Sequence, residues 1–102
     1  MLASNLDKKK FENICIIDTN AKIGSKIKVS GGAKCNITNE LVTASNYLGD
    51  REFVAELLEK FSKNDLLAFL NKNAVIPKIN PKIVKGTYFC NSSQDVIDMF
   101  TK

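Results

Sequence analysis

The chain has 102 residues and a formal net charge of +4, with 44% hydrophobic and 25% charged residues. This length allows one small core, and the balanced composition excludes a disordered or fibrous chain. Histidine and tryptophan are absent, which removes the commonest general base and metal ligand and disfavours triad hydrolysis and zinc chemistry. Catalysis must therefore draw on a cofactor, or be absent.

The cysteines and the charge pattern indicate where the protein works. Cys15, Cys35 and Cys90 show no Cys-x-x-Cys spacing, so neither a disulfide framework nor a zinc site is supported, and reduced thiols fit a cytoplasmic protein. No apolar run approaches the length of a membrane span, so we expect no membrane contact. The run of three lysines at residues 8–10 is typical of a solvated helix end, and nucleic acid is not the partner we expect.

The first elements indicate half of a βαβ unit. Residues 1–6 resemble the last turns of a helix, but no N-cap residue precedes their apolar face. Residues 14–17, Ile-Cys-Ile-Ile, predict a strand buried on both faces of a parallel sheet, and it ends at Asp18. In a dinucleotide-binding unit an acid at this point binds a ribose hydroxyl. The alternative for Asp18 is an ordinary cap of the turn that follows a strand.

A glycine pair follows the next apolar segment. A strand-like approach through Ile27 and Val29 leads into the glycines, and polar side chains flank the pair on both sides: Ser30, Gly31, Gly32, Lys34, Asn36, Thr38 and Asn39. Paired glycines permit a sharp bend and bring backbone N–H groups close to a ligand, and such turns can form anion-binding nests. The pattern therefore fits a turn that binds a phosphate, a ribose or a ring edge, and it equally fits a solvated surface turn.

The second half of the chain predicts a helical pair. Residues 40–49 are polar and rich in turn-forming residues, and a helix begins at Asp50 with apolar residues recurring at helical spacing to Phe61. Ser62 and Asp65 have capping-box spacing and open a second helix that ends at about Lys72.

The remaining residues predict a small hairpin and a terminal helix. Pro77 and Pro81 limit residues 74–79 to an edge strand or an extended connection, and residues 82–90 alternate so that they can pair back on it. Residues 92–95, Ser-Ser-Gln-Asp, have capping-box spacing and open a final helix with an apolar face.

Residues 26–39, Lys-Ile-Lys-Val-Ser-Gly-Gly-Ala-Lys-Cys-Asn-Ile-Thr-Asn, resemble the signature loop of the BaiN/YhiN-like bacterial flavoproteins. These are NAD(P)/FAD-dependent, aminoacetone-oxidase-like oxidoreductases, in which Gly-Gly-Gly-Arg-Cys-Asn-x-Thr-Asn follows a Rossmann βαβ unit. The resemblance extends to residues 1–4, 22–26, 61–66 and 88–92. Ala33, Lys34 and Cys90 depart from the family's glycine, arginine and proline, and lysine gives up the planar fork of arginine.

The resemblance implies FAD as the cofactor. Asp18 would hold the adenosine ribose, and the glycine loop would line the FAD cleft. The implied cofactor-binding residues are Asp18, Lys26, Ser30, Gly31, Gly32, Lys34, Cys35, Asn36, Thr38 and Asn39. For Cys35 we expect packing near the flavin and not nucleophilic chemistry, because no histidine is present to act as its base.

The predicted fold class is α/β, as an α+β fragment. Residues 1–49 would form part of a Rossmann-type FAD-binding domain, and residues 50–102 a helical pair, a β-hairpin and the start of a terminal helix, within one compact unit. The glycine fingerprint that binds a pyrophosphate is missing. We therefore expect an incomplete piece of a flavin-dependent oxidoreductase that is inactive alone.

Two alternatives from other classes remain. Residues 50–89 have the outline of a winged helix, which would make the chain a nucleic-acid-binding module. The chain could instead be an interaction protein whose unpaired edges associate with the missing part of the flavoprotein or with a second copy.

Overall fold

The computed structural model describes residues 3–7, 9–82 and 85–101. These residues form four α-helices and one three-stranded sheet, and they fit the predicted α/β fragment. Within them no helix has the length and apolarity needed to cross a bilayer. Predicted features at Met1, Leu2, Lys8, Ile83, Val84 and Lys102 lie outside the described residues.

The elements follow one another closely along the chain. Their bounds are a 3-10 turn at Ala3–Asn5, α1 at Ser25–Val29, β1 at Asn36–Asn39, a 3-10 turn at Ala44–Asn46, α2 at Arg51–Lys60, α3 at Lys63–Lys72, β2 at Lys78–Ile79, β3 at Thr87–Phe89 and α4 at Ser93–Thr101.

The sheet is antiparallel, with β3 in the centre between β1 and β2. In β1, Asn36 pairs with Phe89 and Thr38 pairs with Tyr88, and the register is irregular between them. The short β2 lies at the edge and pairs with β3 alone, which suits a segment that follows Pro77. The pairing of β2 with β3 confirms the predicted hairpin.

Local caps begin both central helices, and the capping box of the second helix was predicted. Asp50 caps α2 by accepting a hydrogen bond from the Phe53 N–H at 3.1 Å. Ser62 and Asp65 form a reciprocal capping box at the start of α3, with Asp65 N–H to Ser62 Oγ at 3.2 Å and Ser62 N–H to Asp65 Oδ2 at 2.8 Å. Each bond satisfies a backbone donor that the first helical turn leaves without a partner.

The core joins the two predicted segments. Its buried members come from the glycine turn, α3, the connection to β2, and the region around β3 and α4: Cys35, Leu70, Val75, Cys90 and Val96. Ile27 and Ile37 pack against this cluster from the first half of the chain. Residues 1–49 and 50–102 therefore contribute to one sheet and one core.

The strand predicted at residues 14–17 is wrong, because these residues lie outside every described strand. Ile16 is 76% exposed and Ile17 is 91% exposed. A strand buried on both faces needs neighbouring strands for its backbone and apolar cover for its side chains, and neither is present among the described residues. The apolar run thus indicates a segment suited to burial without fixing its conformation.

The strand-like approach to the glycines is also wrong, because residues 25–29 form α1. A strand would place Ile27 and Val29 on one face. In the helical turn they separate: Ile27 packs against the core, and Val29 is 75% exposed. At the start of the chain, the predicted helix is a single 3-10 turn at Ala3–Asn5.

Ser93 joins α4 to α1, and its loss should destabilise the protein. Its side chain is 2% exposed, and its Oγ donates to the Lys28 carbonyl oxygen at 2.8 Å. We expect Ser93→Ala to lower the free energy of unfolding by about 1 to 2 kcal/mol, because a part-buried hydrogen bond is lost. Urea denaturation followed by circular dichroism measures this, with the exposed Ser45→Ala as a near-neutral control. Equal effects of the two substitutions would contradict the assigned role.

The capping box should make stability depend on acidic pH. Hydrogen bonds from the Ser62 backbone N–H and then the Ser62 hydroxyl lower the pKa of Asp65. Because the folded pKa lies below the unfolded one, this stabilisation is present above the unfolded pKa and is lost as pH falls through the folded pKa. Asp65→Asn should therefore flatten the acid limb of a stability–pH curve between about pH 5 and pH 2. Glu59→Gln, which removes a carboxylate on α2 outside the box, should leave the limb in place.

Candidate functional site

The segment at residues 30–35, here called the glycine turn, bends sharply as its glycines predict. The Cys35 N–H donates to the Ser30 carbonyl at 3.0 Å, and the Lys34 N–H donates to the Gly31 carbonyl at 3.3 Å. The values of φ are 57° at Gly31, 62° at Gly32, 68° at Ala33 and 55° at Cys35. This run of left-handed residues is unfavourable for Ala33 and Cys35, so the surrounding contacts must hold it in place.

Two carbonyl groups of the glycine turn bind the opposite side of the fold. The Lys34 carbonyl accepts the Cys90 N–H at 2.9 Å, and the Ala33 carbonyl accepts the Ser93 N–H at 2.8 Å. The first bond extends the pairing of β1 with β3, and the second satisfies a donor at the start of α4. The turn is therefore anchored through its acceptors.

The donors of the glycine turn are left available. Within the part of the chain that the structure describes, the N–H groups of Gly31, Gly32 and Ala33 have no hydrogen-bond partner. Gly32 and Ala33 are exposed, and Gly31 is half-buried. Consecutive N–H groups of this kind suit an anionic or carbonyl oxygen.

The two glycines serve different purposes. A Cβ atom at Gly31 would lie 2.3 Å from Asn36 Oδ1, so internal packing requires glycine there. A Cβ atom at Gly32 would meet nothing within 4 Å, and only its positive φ favours glycine. Open space above Gly32 lets another molecule approach the backbone closely.

Three lysines lie in the glycine turn or within a few residues of it along the chain. Lys26, Lys28 and Lys34 are exposed. Among the described residues, the ion pair that forms joins Lys60 to Glu56, away from the turn. The three lysines therefore give this part of the chain a positive charge that attracts anions.

Ser30 and Asn36 shape the glycine turn. Ser30 Oγ accepts the Asn36 N–H at 3.3 Å, and the Asn36 side chain occupies the space that a Cβ at Gly31 would need. Both residues position the turn.

The thiol of Cys35 lies in the core and not on the surface of the glycine turn. Cys35 is 6% exposed and packs in the cluster that includes Cys90. Burial raises the pKa of the Cys35 thiol, against a smaller opposing effect of a hydrogen bond with Ser30. Burial, with the nearby Cys35 and Asp95, raises the pKa of Cys90 to about 11. Protonated, enclosed thiols are poor nucleophiles, so Cys35 can reach a ligand only through its backbone.

Asp18 lies in an exposed loop and forms a turn with Asn20. Its Oδ1 accepts the Asn20 N–H at 2.9 Å and the Asn20 Nδ2 at 2.8 Å, and these bonds lower the pKa of Asp18. No described contact joins Asp18 to the glycine turn. This geometry matches the turn-capping alternative, and one carboxylate oxygen remains open to another donor.

Thr38 and Asn39 lie farther along β1. Both are half-buried, and Asn39 links the end of β1 to its neighbours. The Asn39 Nδ2 donates to Thr87 Oγ1 at 3.2 Å, and its Oδ1 accepts the Leu41 N–H at 2.9 Å.

A cavity of about 680 Å³ opens beside Asn39. It is lined by residues 39–42, Asn46, Tyr47, Lys85 and Gly86. Residues 40–49 were predicted to be a polar, turn-rich segment, and the cavity was not predicted. The available signal was the group of large apolar residues, Leu41, Val42 and Tyr47, in an otherwise polar segment.

Comparison with known proteins gives a match over the whole chain. Residues 1–102 match the family described as the HI0933-like protein Rossmann domain. The chain is 33% identical over 101 residues to the ribosomal RNA dihydrouridine synthase of Escherichia coli (strain K12), covering 97% of this chain and 24% of that protein. It is 32% identical over 93 residues to the ribosomal RNA dihydrouridine synthase of Haemophilus influenzae, covering 89% of this chain and 22% of that protein.

A third relative matches a shorter region. The chain is 39% identical over 57 residues to the 3-dehydro-bile acid delta(4,6)-reductase of Clostridium scindens, covering 55% of this chain and 14% of that protein. The chain spans about a quarter, or less, of the length of these curated relatives.

Substitution of the two glycines should separate their roles. We expect Gly32→Ala to lower the free energy of unfolding by about 1 kcal/mol, through its left-handed φ alone. Gly31→Ala should cost about 3 kcal/mol, because the new methyl group also collides with Asn36. Urea denaturation of the two variants provides the comparison. Equal costs would contradict the packing assigned to Gly31.

Proposed function

Because the chain belongs to the family of HI0933-like Rossmann domains, a family of flavin-dependent oxidoreductases, we propose that its glycine turn contacts a flavin dinucleotide. This membership confirms the resemblance indicated by residues 26–39. The chain's own role in that enzyme is proposed from the geometry of the turn.

The free N–H groups of Gly31, Gly32 and Ala33 carry the proposal. FAD offers phosphate oxygens and ring carbonyl oxygens, and both accept hydrogen bonds from such groups. The open space above Gly32 admits close approach. The residues present therefore fit the cofactor.

The other residues have distinct parts in the proposal. The Lys34 ammonium adds attraction for a phosphate, and Lys26 adds a second positive charge from α1. Ser30 and Asn36 hold the turn in shape. Asp18 would bind the adenosine ribose through the carboxylate oxygen that Asn20 leaves open. Thr38 and Asn39 would extend the contact along β1.

The flavin supplies the redox chemistry when bound, by accepting or donating a hydride. This chain's residues bind and orient it. The enclosed, protonated thiols of Cys35 and Cys90 take no part in proton or group transfer in this proposal.

We propose ribosomal RNA uridine as the substrate class of the enzyme. The two relatives that match 97% and 89% of this chain are named as ribosomal RNA dihydrouridine synthases, whereas the bile-acid reductase matches 55%. The net charge of +4 suits an RNA substrate. This proposal replaces the expectation that nucleic acid is not a partner.

The winged-helix alternative is not the function we propose. In such a module the hairpin would form a wing of its own, but β3 also pairs with β1 and so joins the glycine turn to the same sheet. The cytoplasmic location stays a prediction.

A polypeptide partner is the second part of the proposal. Phe53 and Leu57 on α2, and Phe61 at its C-cap, recur every four residues and are 58%, 48% and 45% exposed. Ile16 and Ile17 are exposed as well. An apolar stripe of this length marks a contact surface. Because the Escherichia coli relative aligns over 24% of its length, we propose that a polypeptide equivalent to the rest of such a flavoprotein covers the stripe.

Titration with FAD tests the cofactor proposal. We expect the ¹⁵N-labelled protein to bind FAD weakly, with backbone shifts concentrated at residues 31–33. Lys34→Gln should weaken binding about threefold to tenfold, because it removes a charge beside the phosphates. Lys72→Gln, at the end of α3, serves as the matched control. Shifts confined to α2 and α3, or equal effects of the two substitutions, would contradict the proposal.

Co-expression tests the partner proposal. The chain is expressed with the Escherichia coli relative from which the aligned segment has been removed. We expect the two to purify together with flavin absorbance at about 450 nm, and we expect Leu57→Glu to abolish the complex because it places a charge in the stripe.

Glu52→Lys, a charge change in the first turn of α2, should leave that complex intact. A stable homodimer in sedimentation, with no co-purification, would identify a second copy as the occupant and would refute the proposed partner.

A further inference from the structure

The cavity at the end of β1 differs in character from the glycine turn. Leu41 and Tyr47 line it and are 72% and 44% exposed, and Val42 adds a half-buried face. At about 680 Å³ it is large enough for a small organic molecule. Its walls are thus mainly apolar.

The amides in the cavity wall hold the loop in place. The Asn39 Oδ1 accepts the Leu41 N–H, and the Asn46 Nδ2 donates to the Leu41 carbonyl. The Glu40 N–H donates to the Gly86 carbonyl at 2.8 Å, so the loop is also fixed to the residue before β3. The cavity is therefore formed before any ligand enters, and its amides are largely occupied.

Two charged side chains remain for recognition. Lys85 and Glu40 line the cavity, and among the described residues neither side chain forms a hydrogen bond or an ion pair. The ammonium group attracts an anion, while the carboxylate repels one and accepts a hydrogen bond from an N–H or O–H group. The ligand's negative group must then lie toward Lys85 and its donor toward Glu40.

We propose that this cavity binds the substrate of the redox reaction through a ring or fused-ring group that packs on its apolar wall, in a substrate that also carries an anionic group and a hydrogen-bond donor. Tyr47, Leu41 and Val42 would contact the faces of the ring, and Lys85 the anion. The proposal rests on the flavin-dependent function proposed above, and it names the substrate chemistry and its place.

The position of the cavity suits a substrate beside a cofactor. β1 runs from the glycine turn to Asn39, which forms part of the cavity wall. Its residues rise by about 3.3 Å each, so Asn36 and Asn39 are separated by about 10 Å. A cofactor bound at the turn and lying along β1 would reach the cavity.

Two sources share this ligand chemistry, and the experiment separates them. The ¹⁵N-labelled chain is titrated with uridine 5′-monophosphate in one arm and with cholate in the other. We expect saturable shifts at Leu41, Tyr47 and Gly86 in the uridine monophosphate arm, in line with the proposed RNA substrate. Shifts in the cholate arm alone would support the substrate site in the cavity and contradict uridine as the substrate. No shift at these residues in either arm would overturn the proposal.

Variants decide whether the assigned contacts make the site. Lys85→Gln should weaken binding of the active probe about fivefold, and Lys72→Gln should leave it unchanged. Tyr47→Ala should weaken binding by a similar factor, and Leu48→Ala, which alters a neighbour that is 98% exposed, should not. Unchanged amide shifts in β3 verify that each variant is folded. Equal binding by Lys85→Gln and Lys72→Gln would refute the role of the cation.

The result is independent of the cofactor test. FAD bound as proposed shifts residues 31–33, whereas the substrate probe shifts the wall of the cavity. If FAD causes no shifts at residues 31–33 but the substrate probe still shifts the cavity wall, the flavin function is refuted and a binding site for the ring remains. If FAD shifts residues 31–33 but neither probe shifts the cavity wall, the substrate site alone is refuted.

Discussion

Three hydrogen bonds join α1 and the glycine turn to the segment from Cys90 to the start of α4. Cys90 and Ser93 donate their N–H groups to the carbonyls of Lys34 and Ala33, and the Ser93 hydroxyl donates to the Lys28 carbonyl. These bonds join residues more than fifty positions apart in the chain. They engage carbonyls of α1 and of the turn, whereas the N–H groups of Gly31, Gly32 and Ala33 have no partner within the described part of the chain, so the contacts that anchor the turn leave the candidate ligand surface available.

The core follows from this arrangement. Because the turn is held against β3 and α4, Cys35 lies within the apolar cluster together with Cys90 and Val96. Burial raises the pKa of both thiols and removes them from chemistry. The left-handed backbone at Ala33 and Cys35 is the cost of this geometry. The polar and charged groups left outside, Lys34 above all, are those suited to an anionic cofactor.

How much the sequence could predict depended on how local the determining contacts are. α2 and α3 were predictable because Asp50, Ser62 and Asp65 satisfy the first N–H groups of helices only a few residues away. The sharp bend at Gly31 and Gly32 was predictable because glycine itself permits the positive φ that the bend needs.

The strand at residues 14–17 was not predictable, because an apolar run becomes a strand only beside other strands. α1 was predicted to be strand-like because charged and apolar residues alternate in Lys-Ile-Lys-Val. A short helical turn needs only one apolar residue that packs on the core, and Ile27 supplies it. The cavity depends on Lys85 and Gly86 approaching Leu41 and Tyr47, a long-range contact that no local motif marks.

Amide hydrogen exchange tests most directly whether the glycine turn is anchored by its carbonyls with its donors free. In the free protein, the N–H groups of Cys90 and Ser93 should exchange slowly, and those of Gly31, Gly32 and Ala33 should exchange at nearly unprotected rates. Addition of FAD should slow the second group alone. Equal protection of Gly31, Gly32 and Ala33 with Cys90 and Ser93 before any ligand is added would mean that these donors already have partners, and would contradict the account.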